Sequence, residues 1–271
     1  MILSRGCPGK CIFCATNVTW KNKIRFRSIE NILSEIDHCR EKFGINHFSF
    51  EDDSFSFNRN WAEALCAKLK TMKVTWNCNL RVDMVTQDLL KLMAESGCIK
   101  VQFGIESGSQ RILDLIEKNT SIAEIRQAVD WAHLAKIKFI EGSFILGVHP
   151  EERPEDIFST LRLIRQLKIN LLIASLACPF PGTRLYELMK RDLPHQEIRW
   201  EDFVFYGKKP ILATKYLSKE KLIQLQKKIY LDFYLRPELL WRIWSNAQTF
   251  AEKDYWVASG LNFLSSILTL R

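Results

Sequence analysis

Apolar segments of strand length alternate with helix-patterned segments through the first two-thirds of this chain, and that alternation narrows the fold more than any other feature. Ile45, Phe48 and Phe50 lead into Glu51-Asp52-Asp53. Val74, Trp76, Cys78 and Leu80 alternate strictly with polar residues, with Arg81 and Asp83 just beyond. Ile99 to Ile105 runs into Glu106-Ser107-Gly108, and Lys138 to Leu146, with Gly142 as a bend, and Leu171 to Ala177 complete the series. Helix signals lie between them: Asn60 as an N-cap with Glu63 three residues on, Thr86 as a cap with Gly97 as a stop, the Ser121/Glu124 capping box, and Pro154 in a first turn. Continuous apolar strands separated by helices imply a parallel sheet covered on both faces. With Ile2-Leu3-Ser4 counted as the first strand, six βα units in order favour an α/β fold of the partial (βα)6 TIM-type barrel kind over a doubly wound sheet. At 271 residues and 47% hydrophobic, the chain carries enough apolar matter for one such core, and disorder is excluded.

From about Trp200 the alternation stops. Ser218 caps an amphipathic helix through about Tyr234, and Pro237 opens another. The expected organisation is therefore a barrel core at 1–199 and a helical C-terminal extension at 200–271 that packs on or caps the barrel. Trp241, Trp244 and Trp256, with Phe250, Phe263, Leu264, Ile267 and Leu268, would close the open side of the barrel or form a lipid-facing or substrate-covering surface.

Charge and hydropathy exclude several partners. The formal net charge of +8 is spread along the chain, with 11 basic and 7 acidic side chains in residues 200–271, so no Lys/Arg cluster marks a polyanion site and a nucleic-acid partner is not expected. The longest apolar run, Leu171 to Phe180, is broken by Ser175 and reaches about half of the ~20 residues that a membrane span needs. Met1-Ile2-Leu3-Ser4-Arg5 does not read as a secretory signal.

The eight cysteines are unevenly placed. Cys39, Cys66, Cys78, Cys98 and Cys178 are scattered singly, mostly among apolar neighbours, as small core residues are. Cys7-Pro8-Gly9-Lys10-Cys11-Ile12-Phe13-Cys14 instead gathers three thiols at spacings of four and three, which lets one loop wrap a single metal centre. A structural zinc would need a fourth ligand, and His38, His47, His133, His149 and His195 are isolated, with Cys39 beside His38 the nearest candidate. Three ligands on a four-iron cluster leave one iron open to an exogenous group. Free thiols in this number fit a reducing cytoplasm rather than a disulfide framework. The cysteine loop, Glu51-Asp52-Asp53, Arg81, Glu106-Ser107 and Gly182-Thr183 all follow the carboxyl ends of strands, where a barrel gathers its chemistry.

These segments resemble a known family. Cys7-x3-Cys11-x2-Cys14 with Phe13 before the last cysteine is similar to the signature of the radical S-adenosylmethionine (SAM) enzymes. Phe50-Glu51-Asp52-Asp53-Ser54-Phe55, Trp76-x4-Arg81-x-Asp83, Gly104-Ile105-Glu106-Ser107-Gly108-Ser109, Pro179-Phe180-Pro181-Gly182-Thr183 and Phe233-Tyr234-Leu235-Arg236-Pro237 follow in family order. Over roughly residues 1–240 they resemble the catalytic half of the cobalamin-binding radical SAM subfamily. The resemblance implies a 4Fe–4S cluster on Cys7, Cys11 and Cys14, with the amino and carboxylate groups of SAM on the fourth iron. An electron from a donor such as ferredoxin or flavodoxin would then split SAM into methionine and a 5′-deoxyadenosyl radical that abstracts hydrogen from substrate. Within that picture Glu51 or Asp52 suits the methionyl ammonium, Arg81 offers a planar fork to the carboxylate, Glu106 and Ser107 face ribose hydroxyls or the ammonium, and Phe13 with Ile12 flanks adenine.

Two departures from the subfamily stand out. Its usual N-terminal cobalamin domain has no room before Cys7, so the 271 residues read as a catalytic core whose cobalamin, if used, comes from a missing or separate domain. Gly147-Val148-His149-Pro150-Glu151-Glu152 replaces the common Gly-x-Pro-Gly-Glu-Thr loop, which implies altered geometry on the SAM side. The expected activity is a methyltransferase or other C–H functionalising enzyme acting on a small or lipid-like molecule. The alternatives are a tRNA methylthiotransferase-like enzyme, an inactive truncated core, or a zinc-bound structural domain.

Overall fold

The computed structural model describes residues 1–193, 203 and 212–246, with isolated positions 249, 254, 258, 260, 262 and 265 beyond. The boundary expected at 199/200, along with His195, Phe250, Trp256, Phe263, Leu264, Ile267 and Leu268, lies outside the described residues.

Five parallel strands form one sheet in sequence order: β3 (His47–Phe50), β4 (Thr75–Arg81), β5 (Cys98–Glu106), β6 (Phe139–Leu146) and β7 (Leu171–Leu176). They curl into the half-barrel expected of a partial TIM-type fold, with helices outside. The first of the six expected units takes another form. β1 (Ser4–Arg5) pairs antiparallel with β2 (Arg25–Phe26), which lies beyond the short α1 (Thr16–Trp20). Only Met1 extends the parallel sheet: its nitrogen donates to the Ser49 carbonyl at 2.6 Å and its carbonyl accepts from Glu51 N–H at 2.9 Å, the pattern of a parallel ladder opposite Phe50.

The outer helices begin and end for local reasons. Ser28 caps α2 (Ile29–Phe43) by accepting from Asn31 N–H at 3.3 Å, and Gly44 ends it in the left-handed region. The α3 helix (Arg59–Met72) starts from Asn58 rather than from Asn60. Asn58 is extended and accepts from Trp61 N–H at 3.1 Å, and this earlier start sets Trp61 against Phe55 with 5.9 Å between ring centroids. Thr86 caps α4 (Gln87–Glu95), and Ser121 with Glu124 closes a capping box on α6 (Ile122–Leu134). The α5 (Gln110–Leu115), α7 (Pro154–Gln166) and α8 (Arg184–Asp192) helices complete the shell. Phe50, Phe55, Trp61 and Trp76 pack together under α3. Gly142 is no bend: it stays within β6, where a Cβ would sit 3.0 Å from the Ile169 and Phe144 side chains.

Strand alternation sorts the two faces of the sheet. Trp76, Cys78, Leu80, Val101, Phe103, Ile105, Ile140 and Phe144 are buried under the helices. The opposite face lines the barrel interior in layers: Asn79 is registered with Gln102, Arg81 with Gly104, Gly104 with Ser143, and Ser143 with Ile173.

The two edges of the sheet end differently. At β7, the α9 helix (Lys219–Tyr234), capped by Ser218, presents Gln226, Tyr230 and Tyr234 as one stripe. The Tyr234 hydroxyl accepts from Leu172 N–H at 3.0 Å and donates to its carbonyl at 3.2 Å. The Tyr230 hydroxyl does the same for Ala174 at 2.9 and 3.1 Å, and Gln226 Nε2 adds a bond to the Ala174 carbonyl at 2.7 Å. Side chains thus satisfy an edge that would otherwise invite another strand. At the other edge, one residue of backbone pairing gives way to a carboxylate. Asp52 accepts from Leu3 N–H at 3.1 Å, from Ser4 N–H, and from the Ser4 hydroxyl at 2.6 Å. Relieved of strand pairing, the chain leaves the sheet and enters the cysteine loop. After α9 comes α10 (Pro237–Asn246), with Trp241 and Trp244 exposed. No helix among the described residues is long and apolar enough to cross a membrane.

Candidate active site

The loop carrying Cys7, Cys11 and Cys14 is held at both ends of its middle. Ile12 N–H donates to the Ile116 carbonyl at 3.1 Å, its carbonyl accepts from Leu185 N–H at 2.9 Å, and its side chain is buried in the core rather than turned to a ligand. Gly6 enters the loop at φ +97°, and a Cβ there would collide with the Lys23 carbonyl oxygen, so glycine is required. The three cysteines line one cavity of about 340 Å3, together with Phe13, Glu51, Asp52, Arg81 and Glu106. Eight of the expected site residues, the three cysteines among them, therefore meet at one place.

Ser107, like Ile12, stays away from the cavity. It is buried, its hydroxyl lies 3.4 Å from Thr160 Oγ1 and accepts from Ser109 N–H at 3.2 Å, and Gly108 beside it touches the α7 backbone so closely that a Cβ would fall 2.5 Å from Thr160 Cα. This Gly-Ser segment docks the end of β5 on α7.

The acids after β3 divide their work. Asp52 is committed to Leu3 and Ser4, and burial pushes its carboxyl above the usual aspartate range against those hydrogen bonds. Glu51 is exposed at the cavity wall and accepts from the Ser49 hydroxyl; Asp53 is exposed and accepts from Thr16 Oγ1 at 3.0 Å.

Arg81 is nearly buried and its fork is filled. Asp83 takes Nε at 3.0 Å and Nη2 at 2.8 Å, and the Lys118 carbonyl also accepts from Nη2 at 2.8 Å. Only Nη1 turns toward the loop, 3.5 Å from Cys11 Sγ. A second cation of the cavity wall comes from Lys118. Lys118 Nζ lies 2.7 Å from Glu106 Oε1, both side chains buried, and Gly104 makes the room: a Cβ there would sit 2.8 Å from that oxygen and 3.1 Å from Nζ. Glu106 itself sits at φ +69°, and Lys118 lies between Glu117 and Asn119, both also left-handed. Such backbone on non-glycine residues is uncommon and is held here to aim two side chains inward. Asn79, Gln102 and Ser143 complete the wall.

The chemistry of this donor set fits a cluster with three cysteine ligands. Gly9 N–H donates to Cys7 Sγ at 3.3 Å, and a Cβ on Gly9 would sit 3.2 Å from that sulfur and 3.1 Å from Arg81 Nη1. Burial pushes the Cys7 thiol up to about 11 and raises Cys11, opposed at Cys11 by Lys118 and Arg81. Thiols so placed ionise when an electrophilic metal or nearby cation stabilises the thiolate. Among the described residues no three His, Cys, Asp or Glu side chains are arranged around a single ion, whereas a cubane takes its thiolates at separate corners.

Residues 1–164 match the model of the radical SAM superfamily. The chain belongs to the radical SAM superfamily. An uncharacterized methyltransferase of Pyrococcus horikoshii is 31% identical over 242 residues, covering 89% of this chain and 52% of that protein. Bacteriochlorophyllide d C-12(1)-methyltransferase of Chlorobaculum tepidum is 31% identical over 238 residues, covering 85% and 51%. This chain thus spans about half the length of these curated relatives. The radical SAM methyltransferase TsrM of Kitasatospora setae, solved with cobalamin and a [4Fe-4S] cluster, superposes with a TM-score of 0.62 at 15% identity, covering 68% of this chain and 38% of that one, a likeness of fold.

Lys118, Asn79, Gln102 and Ser143 were not among the residues singled out from sequence, and Asp53 was named only as part of the Glu51-Asp52-Asp53 cluster. Counting back by two from Arg81 and Glu106 reaches Asn79, Gly104 and Gln102, so strand period carried a signal for those. Lys118 carried none, since it reaches the site through the irregular α5–α6 turn.

Proposed function

We propose that this chain is the SAM-cleaving core of a radical SAM enzyme. The observation that carries the reading is the convergence of all three loop cysteines with two cations, Arg81 and Lys118, on one cavity. Cys7, Cys11 and Cys14 would hold a 4Fe–4S cluster there, which would supply the electron for reductive cleavage of the SAM sulfonium to methionine and a 5′-deoxyadenosyl radical. The chain's own residues bind and orient. Lys118 receives the methionyl carboxylate, because the Arg81 fork is already filled by Asp83, and Glu106 holds Lys118 in place. Glu51 faces the methionyl ammonium, since Asp52 is engaged with the chain at Leu3 and Ser4. Arg81 steadies the Cys11 thiolate through Nη1, and Phe13 offers a face to adenine. No ligand role falls to Ser107.

Methyl transfer is the finer reading, supported by two relatives at 31% identity whose names carry it. Cobalamin would then come from a part outside these residues, and the electron from a small carrier such as a ferredoxin or flavodoxin.

Equilibrium dialysis of SAM against anaerobically reconstituted protein tests the assignment of Lys118. Lys118→Met removes the carboxylate partner and strands a buried glutamate, so SAM affinity is expected to fall roughly 10–100-fold, with partial recovery in Lys118→Arg. Unchanged affinity in Lys118→Met would remove Lys118 from the site.

A further inference from the structure

A second cavity of about 350 Å3 adjoins the first, sharing Phe13, Cys14, Asp53, Gln102, Ser143 and Ile145 as a common wall. Its character is opposite. Beyond the shared wall it is lined by Ile173 and Ser175 of β7, by Phe180 and by Leu185. Among its described lining residues only Asp53 is charged, and that carboxylate already accepts from Thr16. The strand register sets a checkerboard, with Ser143 opposite Ile173 and Ile145 opposite Ser175. Two hydroxyls thus stand diagonally across an isoleucine surface, and neither has a hydrogen-bond partner among the described residues.

We propose that this chamber holds the reacting part of the substrate, and that this part is a neutral, mostly apolar body carrying a hydroxyl or carbonyl oxygen. The inference rests on the SAM-cleaving reading only for calling the occupant a substrate. A phosphate or carboxylate placed there would give up its water without meeting a cation among the described lining residues, while Asp53, the one charged residue among them, would repel it. A neutral ring or chain loses little on desolvation and gains contact with Ile145, Ile173 and Phe180. Ser143 and Ser175 then fix its orientation by bonding a single oxygen, which a purely apolar chamber would not do. Cys14 and Phe13, common to both cavities, bring this body next to the place assigned to SAM.

Three matched probes test the chamber on anaerobically reconstituted protein by ligand-observed NMR: 2-naphthalenemethanol, 2-naphthoate and unsubstituted naphthalene. The alcohol is expected to bind at least about ten-fold more tightly than the carboxylate. Ile173→Phe fills the chamber and should abolish alcohol binding, with iron content and thermal unfolding reporting that the variant is folded. Ser143→Ala/Ser175→Ala should weaken the alcohol several-fold and leave naphthalene unchanged. Equal or tighter binding of the carboxylate, no binding of the alcohol up to its solubility, or binding that survives in folded Ile173→Phe overturns the proposal. Selective alcohol binding by protein that yields no 5′-deoxyadenosine from SAM upholds the chamber and overturns the radical reading, so the two fail separately.

Discussion

The two edges of the parallel sheet are finished by opposite means, and the difference separates stability from chemistry. At β7, Gln226, Tyr230 and Tyr234 return backbone bonds to Leu172 and Ala174, so the sheet simply stops. At β3, one backbone pairing through Met1 is followed by the Asp52 carboxylate, which holds Leu3 and Ser4 while the chain turns away into the cysteine loop. The first edge uses uncharged side chains from one helix and carries no cavity residue in those contacts. The second uses a buried carboxyl group, and of the ten residues after Ser4 it is Cys7, Gly9, Cys11, Phe13 and Cys14 that line the candidate site. A sheet edge that must release a strand toward a reactive loop needs a short, strong clamp; one that only needs closing is served by a row of weak bonds.

The largest effect should come from breaking that clamp. Asp52→Ala leaves two buried backbone N–H groups without their acceptor, an expected loss of about 2–3 kcal/mol in urea unfolding. The same variant should assemble less cluster, read as iron per chain. A loss of stability with full iron content would show that the clamp and the loop are independent.

The pH dependence should distinguish the edges next. Burial raises the Asp52 carboxyl above the usual aspartate range, so the folded state holds this proton more tightly than the unfolded chain does. Its contribution is complete in acid below the unfolded value and is lost as pH rises through the raised one. Asp52→Asn should therefore flatten the dependence of unfolding midpoint on pH on the acid side of neutrality. The tyrosines of the other edge are pushed upward by burial as well, from an already high value, and do not titrate in that range. Substituting them should leave the slope alone, and a changed slope in Tyr234→Phe would contradict this contrast.

The smallest effect belongs to the β7 edge itself. Tyr234→Phe removes one hydroxyl that both accepts and donates, at an expected cost of about 1–2 kcal/mol. SAM cleavage should be unaffected, because neither Tyr234 nor its partner Leu172 lines either cavity. Reduced cleavage with an unchanged cluster would tie the two edges together.

These contrasts also mark what was legible in the sequence. The parallel half-barrel followed from uninterrupted apolar strands between capped helices, and the caps at Thr86, Ser121 and Ser218 act as their side chains imply. Asn58 displaced Asn60 as the α3 cap because tertiary packing of Trp61 chose between two asparagines of equal local merit. The polar partners in β4 mark a strand, yet period alone does not tell solvent from a barrel interior, and Asn79 faces the latter. The first of the six units rests on Ile2-Leu3-Ser4 in the sequence, but Asp52 takes the N–H groups that a strand would have used. Arg81 and Glu106 were found by their places at strand ends. Their partners Asp83 and Lys118, which decide what each can still bind, are set by side-chain direction and by a turn of left-handed residues. Ser107 shared that strand-end position and was turned onto α7 by the close approach of Gly108.

The central claim is that the three loop cysteines support reductive cleavage of SAM. It is tested most directly by quantifying 5′-deoxyadenosine after anaerobic incubation of reconstituted protein with SAM and dithionite, beside a Cys7→Ala/Cys11→Ala/Cys14→Ala variant. The account predicts cluster absorbance and product in the native chain, and loss of both in the variant. Cleavage that persists without the cysteines, or about one zinc per chain with no sulfide and no product in the native protein, would contradict it.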